Sequence, residues 1–177
     1  LLAGLPSSVP GETVNRLCAS GMSSVIHASH AIHSDAGDLF IAGGVEHMTR
    51  GPWVISKTSK AYGRDAQMHD SSFGWRFVNP KLHDAYGTDG MGVTAENLVE
   101  KYSISRVDQD AFALWSQQKT KAAQEAGFFK DEIVAVEIPR RKMEPLVFDK
   151  DEFPRGNTSM ESLGGLRAAF KKDGSVS

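Results

Sequence analysis

Met22, Val25 with Ile26, Ser29 and Ile32 recur at helical spacing from Ala19 onward, with small residues between them. This pattern predicts a helix whose backbone can be packed closely, with Gly37 as its expected stop. The period changes on either side. Residues 12–18, "ETVNRLC", alternate as a short strand does, and Pro10-Gly11 punctuate its start. Residues 38–46, "DLFIAGGVE", contain a mostly apolar run of the kind found in a strand buried on both faces. The first 46 residues therefore predict one strand-helix-strand unit in an α/β layout.

Beyond Met48 the texture shifts. Residues 50–90 are rich in Gly, Ser, Pro and aromatics and follow neither period clearly, which predicts an irregular segment folded over something else. Helical patterning resumes with "MGVTAENLVEKY" from Met91, then over Ser105 to Ala126, where Ser105 and Asp108 have capping-box spacing and Gly127 is the stop. Residues 132–139, "EIVAVEIP", predict a strand. Thr158 to Phe170 predicts a final helix, followed by an Asp173-Gly174 turn. There is no repeat and no low-complexity tract.

At 177 residues the chain can bury a core and form one domain or one and a half. Lys plus Arg number 20 against 22 Asp plus Glu, so no global field favours nucleic acid or an anionic membrane, and an anionic ligand has to be met locally. No apolar run approaches the roughly 20 residues that span a bilayer, and no basic-then-apolar leader is present. The expectation is a soluble, cytoplasmic protein. The chain starts at "LLAGLPSSVPG" without Met and stops at "KKDGSVS"; neither end reads as a finished terminus.

The single cysteine, Cys18, excludes an intramolecular disulfide framework and fits a reducing compartment. A lone Cys beside apolar residues ordinarily reads as an inert buried hydrophobe. Its position argues otherwise. At a strand-to-helix junction, unpaired N–H groups and the helix dipole favour a thiolate, and the same N–H groups can accept an oxyanion formed under attack. Ala19, Ser20 and Gly21 are small, so a substrate carbonyl can approach the sulfur. These features fit an acyl-transfer nucleophile.

The segments "VNRLCASGMSSV", "AGGVEHMTR", "MGVTAENL", "SRVDQDAFALWSQQK", "EIVAVEIP" and "TSMESLGGLRAAFKKDGSVS" resemble the thiolases in order and spacing. The resemblance runs over essentially the whole chain, and six matching segments are far more specific than any one motif. Among thiolases, "GWRFVNP" and "YGTDGMGVTAEN" are most similar to the β-ketoadipyl-CoA branch and to degradative 3-ketoacyl-CoA thiolases. The fold implied is a partial thiolase fold of the α/β class: residues 1–48 as part of the N-terminal domain, a βαβ unit carrying the nucleophile, and residues 49–177 as most of the inserted loop domain that holds CoA.

The resemblance implies a Claisen-type acyl transfer, run as thiolysis of a 3-oxoacyl-CoA or in reverse as condensation. Cys18 would carry the acyl group as a thioester, which keeps it activated between two CoA molecules, and its backbone N–H would supply half of an oxyanion hole. Met91 matches the methionine lining the pantetheine and acyl channel. Arg155, Ser162, Leu163, Ala169 and Phe170 fall at positions that contact CoA, and an arginine near the phosphates would make charge-assisted bonds to them. Gly90 stands where many biosynthetic relatives have His, which argues against acetoacetyl-CoA as sole substrate. CoA is a substrate here, and no cofactor or metal is implied. The implied partners are acyl-CoA, CoA, the remainder of a thiolase chain, and further copies in a homodimer or tetramer.

Thiolases have two similar halves, and the second supplies a His that activates the nucleophile and a second Cys that moves the substrate proton. Neither a "CxGG"-like nor a "GHP"-like segment occurs here. The competing readings are a CoA-binding or dimerisation module without turnover and a Cys hydrolase of thioesters. His27, His30 and His33 drift around their helix and lack a Cys or Glu at a ligand spacing, so they read as surface or interface histidines. The pair Gly43-Gly44 reads as a point of close backbone packing. Trp53, Phe73, Trp75 and Phe77 have no basic run beside them and read as packing or acyl-pocket walls. Arg140-Arg141-Lys142 is the one basic cluster, suited equally to a solvated strand end and to phosphate contact.

Overall fold

The computed structural model describes residues 2–177. Its internal contacts divide the chain into two units, Leu1–Arg76 and Phe77–Ser177.

In the first unit the predicted helix forms as α1, Ser20–His33. It ends before Gly37. Asp35 takes the left-handed conformation, φ 56°, and its N–H reaches Ile32 O while the N–H of Ala36 reaches Ala31 O, the paired bonds of a Schellman cap. The flanking strands are a correction. Over residues 12–18 the N–H of Leu17 donates to Asn15 Oδ1 at 3.0 Å and Leu17 has φ 50°. This local turn competes with an extended ladder. Residues 38–46 form no strand, because no neighbouring strand among the described residues offers them a partner. Ile41 and Val45 are 83% and 99% exposed, and a Cβ at Gly43 or Gly44 would meet nothing within 4 Å, so the close packing expected to require glycine there is absent among the described residues. The irregular stretch holds more order than its composition suggests: β1 (Trp53–Ile55) pairs antiparallel with β2 (Met68–Asp70).

In the second unit α2 spans Pro80–Tyr86, α3 Met91–Tyr102 and α4 Arg106–Glu125. Asn79 caps α2 by accepting from Lys81 N–H, with Pro80 at the first helical position where its missing donor costs nothing. At α4 the Ser105 hydroxyl accepts from the N–H of Asp108 at 3.1 Å and donates to Asp108 Oδ2 at 2.6 Å. Gly127, φ 70°, closes the helix as expected, with Gly127 N–H on Gln124 O and Phe128 N–H on Ala123 O. The strand expected at 132–139 forms later, as β3 (Val136–Arg140), and pairs with the unforeseen β4 (Met143–Phe148). The basic cluster is the turn of this hairpin, with Lys142 at φ 58°. The final helix is shorter than expected: α5 is Met160–Gly164, and the chain then turns until the predicted Asp173-Gly174 turn, where Gly174 N–H meets Lys171 O at 3.0 Å.

Burial is unusual. No hydrophobic side chain is buried among the described residues; the buried ones are Ser23, Glu96 and Asp110. The accessible surface is 15878 Å² for 19.2 kDa. A compact monomer of that mass exposes roughly 8,400 Å², and two separate half-size bodies roughly 10,000 Å². The apolar positions of α1, Met22, Val25, Ile26 and Ile32, are all exposed. Their helical spacing and the small residues between them suit close packing, yet nothing among the described residues covers them.

Candidate active site

Cys18 lies two residues before the first helical residue of α1, after the turn that Asn15 and Leu17 create. Its thiol is free and exposed. The residue before it, Leu17, holds a left-handed conformation that costs a non-glycine residue of order 1–3 kcal/mol and concentrates at functional sites. Ser20 fixes this geometry by donating its hydroxyl to Leu17 O at 2.7 Å and accepting from Arg16 N–H at 2.9 Å. Ala19, the N-cap, has no side chain able to cap, and the N–H groups of Gly21 and Met22 find no backbone acceptor among the described residues. Free amides at a helix start stabilise negative charge in front of them. The turn thus places an exposed thiol and free helix-start amides within a few residues of one another, an arrangement able to serve acyl transfer.

The six other expected site residues all lie in the second unit. Met91 opens α3 and is 80% exposed. The ring of Phe170 lies against Gly92, so close that a Cβ there would collide with it. Phe170 is thereby brought to the start of α3, beside Met91. Arg155 is exposed; its N–H donates to Gln117 Oε1 of α4 at 2.8 Å, and its carbonyl accepts from the N–H and hydroxyl of Thr158. Ser162 completes a capping box with Ser159 at the start of α5. Leu163 O accepts from Arg106 Nη2 at 2.6 Å, and Ala169 N–H donates to Val176 O at 2.9 Å. Met91 and the segment 155–170 are thus joined through α3 and α4. Cys18 belongs to the other unit.

Two cavities occur in the second unit. One of about 690 Å³, lined by Gly127, Phe129, Lys130, Ile133, Asp149 and Lys150 among others, touches none of the expected CoA contacts. The smaller, about 370 Å³, is lined by residues including Gln117, Phe153 and Pro154 and so adjoins Arg155. Elsewhere, His27 Nδ1 lies 3.2 Å from Glu12 Oε1 on the surface of α1, and Arg76 donates to Gly74 O at 3.0 Å. Among the described residues no helix is long and apolar enough to cross a membrane.

Sequence reasoning missed Glu96, Arg106, Gln109 and Asp110, which tie α3 and α4 to the C-terminal segment. The available signals were the i,i+4 spacing of Arg106 and Asp110 and an acid placed among the small and apolar residues of "MGVTAENL".

The fold class is α/β, with an exposed thiol before a helix in one unit and the other six expected site residues in the second. The comparisons make it specific. The whole chain, residues 1–177, matches the family model "Thiolase, N-terminal domain". It is 52% identical over 176 residues to a beta-ketoadipyl-CoA thiolase of Acinetobacter baylyi, covering 99% of this chain and 44% of that relative. It is 50% identical to an acetyl-CoA acetyltransferase of Allochromatium vinosum, with the same coverage. The crystal structure of human mitochondrial 3-ketoacyl-CoA thiolase in complex with CoA superposes with a TM-score of 0.80 at 34% identity, over 99% of this chain and 42% of that one. This chain belongs to the thiolase family and has a partial thiolase fold. It spans less than half the length of the relatives it matches.

Proposed function

We propose that this chain supplies the acylating cysteine and the CoA-contacting segment of an acyl-CoA C-acyltransferase that cleaves a 3-oxoacyl-CoA, such as 3-oxoadipyl-CoA, by thiolysis. The observation that carries the proposal is the exposed Cys18 thiol on its strained turn before α1, in a chain similar over its whole length to thiolases. The Cys18 sulfur attacks the 3-oxo carbon, with its own N–H as half of the oxyanion hole. The bond between C2 and C3 breaks, the C2 carbanion takes a proton, and acetyl-CoA leaves. The acyl group stays on Sγ as a thioester until the thiolate of a second CoA attacks it and frees the cysteine.

Residues 1–48 are the nucleophile-bearing part and residues 49–177 the CoA-binding part. Met91 lines the acyl and pantetheine channel, Arg155 meets the CoA phosphates, and Ser162, Leu163, Ala169 and Phe170 contact the rest of the CoA arm. The proton donor and acceptor, a His and a second Cys, come from chain beyond these 177 residues, whose only cysteine is already the nucleophile. The working enzyme is a cytoplasmic homo-oligomer that takes CoA as a substrate and needs no cofactor. The dicarboxylic substrate is favoured by the similarity to beta-ketoadipyl-CoA thiolase, and Arg76 is the candidate partner for its terminal carboxylate. A second reading, a CoA-binding or dimerisation module without turnover, applies to the 177 residues by themselves, because they hold one cysteine. The test compares kcat/KM of the full-length enzyme for 3-oxoadipyl-CoA and acetoacetyl-CoA. Preference for the former is expected; preference for acetoacetyl-CoA would refute the substrate and keep the family.

A further inference from the structure

Glu96 and Asp110 are 3% and 6% exposed in a unit that buries no hydrophobic side chain among its described residues. Burying a carboxylate is costly unless it is fully bonded, so where its bonds go shows what the burial achieves. Glu96 Oε1, on α3, accepts from Ser175 N–H at 2.9 Å and Val176 N–H at 2.8 Å. Asp110, on α4, accepts Arg106 Nε with both oxygens at 2.9 Å. The guanidinium is thereby turned so that Nη1 donates to Ser175 O at 3.2 Å, while Nη2 donates to Leu163 O at 2.6 Å and Leu166 O at 3.1 Å. Gln109 Nε2 adds a bond to Ser175 Oγ at 2.9 Å. Five backbone groups of one segment, Leu163 O, Leu166 O, Ser175 O, Ser175 N–H and Val176 N–H, are held by two charged side chains. Gly174 is where the backbone passes over Glu96, and a Cβ there would strike its carboxylate.

We infer that Glu96 and Arg106, the latter oriented by Asp110, are positioning residues for CoA: they set the path of residues 163–176 and so the placement of Leu163, Ala169 and Phe170. The inference rests on the reading of that segment as a CoA contact. The bonds of Glu96 end on backbone of this segment, and those of Arg106 end there or on Asp110. Charge-assisted bonds are stronger and geometrically narrower than neutral ones, which suits a loop that has to be held in one path. Loosening the network should therefore weaken CoA binding and leave chemistry at Cys18 nearly intact.

The test is steady-state thiolysis by the full-length enzyme. Arg106→Lys, which keeps the charge and loses the fork to the carbonyls, is expected to raise KM for CoA about tenfold with kcat within about threefold, because misplaced contacts are lost equally from ground and transition states. Glu96→Gln retains an acceptor oxygen and should raise it less, by about threefold, with faster amide exchange at Ser175 and Val176 and unchanged exchange in α1. Equal KM in both variants, or a fall in kcat matching the rise in KM, overturns the inference. If Arg106→Lys does not yield folded protein, Glu96→Gln and Gly174→Ala, which leave the Arg106–Asp110 pair untouched, decide between the same outcomes. Arg155→Ala separates the two layers. A raised KM there with silent network variants overturns the inference alone, whereas no response in Arg155→Ala or in any network variant removes the CoA reading of the segment as well.

Discussion

The region from Asn15 to Val45 and the region from Met91 to Val176 are ordered by different means. In the first, α1 is joined to the chain before it by bonds of Ser20 with Arg16 and Leu17 and by His27 to Glu12, all exposed. Its apolar residues, from Met22 to Ile41 and Val45, face outward. In the second, Glu96, Arg106 and Gln109 reach across from two helices to the backbone of a third segment. A polar network closes on itself without an apolar cover, whereas an apolar face is stabilising only when something covers it. Cys18, the proposed nucleophile, thus sits in the part whose apolar residues nothing among the described residues covers. The segment proposed to contact CoA sits in the part that carries its own fastening.

The largest expected effect comes from taking the chain alone. Residues 1–177 expressed by themselves should aggregate through the uncovered apolar faces and show no thiolysis, because they hold one cysteine where the proposed mechanism uses two. Light scattering and a CoA-dependent thiolysis assay check this. Turnover that scales with the chain and vanishes in Cys18→Ser would break the distinction between the two regions.

Within the full-length enzyme the two kinds of order should fail differently. Arg106→Ala strands the buried Asp110 carboxylate and should cost about 3–5 kcal/mol in denaturant unfolding. Ile41→Ala removes a side chain exposed here, yet should cost about 2–5 kcal/mol if the rest of the enzyme covers it. A negligible cost at Ile41 would show that the first region stays uncovered.

Three helices, α1, α3 and α4, were legible because their signals are local, whereas α2 lay in a stretch expected to be irregular and α5 is shorter than its pattern. Met91 to Tyr102 and Ser105 to Gly127 could be delimited from periodicity, a serine cap and a stop glycine, all of which act within one or two turns. The cap is itself testable: Ser105→Ala should destabilise α4 by about 1 kcal/mol, measured by thermal unfolding. The strands were not legible because a strand exists only with a partner. "DLFIAGGVE" has the composition of a buried strand and no ladder to join, while "MEPLVF" pairs only because the Arg141-Lys142 turn brings it back onto β3. Cys18 drew attention in the sequence because its neighbours Ala19, Ser20 and Gly21 are small and a helix follows it; the turn at Leu17 in place of a strand was not legible, because it rests on a local side-chain bond from Asn15. The network around Glu96 was not, since its partners are backbone groups some 80 residues away that no pattern encodes.

A smaller effect probes the hairpin of the first unit. Hydrogen bonds from the Ser59 side chain and then its N–H hold the Asp65 carboxyl below its ordinary value of 3.8, with Ser59 N–H 3.1 Å from Oδ2. A carboxyl depressed in the folded state contributes stability that is present above its unfolded value and lost as pH falls through the lower folded one. Asp65→Asn should therefore abolish a small acid-dependent loosening of the loop between β1 and β2 at pH below 3.8, followed by amide exchange at Ser59. Identical exchange profiles in the two proteins would refute it.

The most direct measurement traps the acyl-enzyme. Full-length enzyme is mixed with 3-oxoadipyl-CoA in the absence of free CoA, quenched in acid and digested, and the peptide containing "LCASGM" is weighed by mass spectrometry. We expect a succinyl thioester on Cys18 that disappears on addition of CoA, with formation of succinyl-CoA, and that never forms in Cys18→Ser. Acetyl-CoA release with Cys18 unmodified, or an acyl group carried by another residue, would contradict the assignment of Cys18 as the nucleophile.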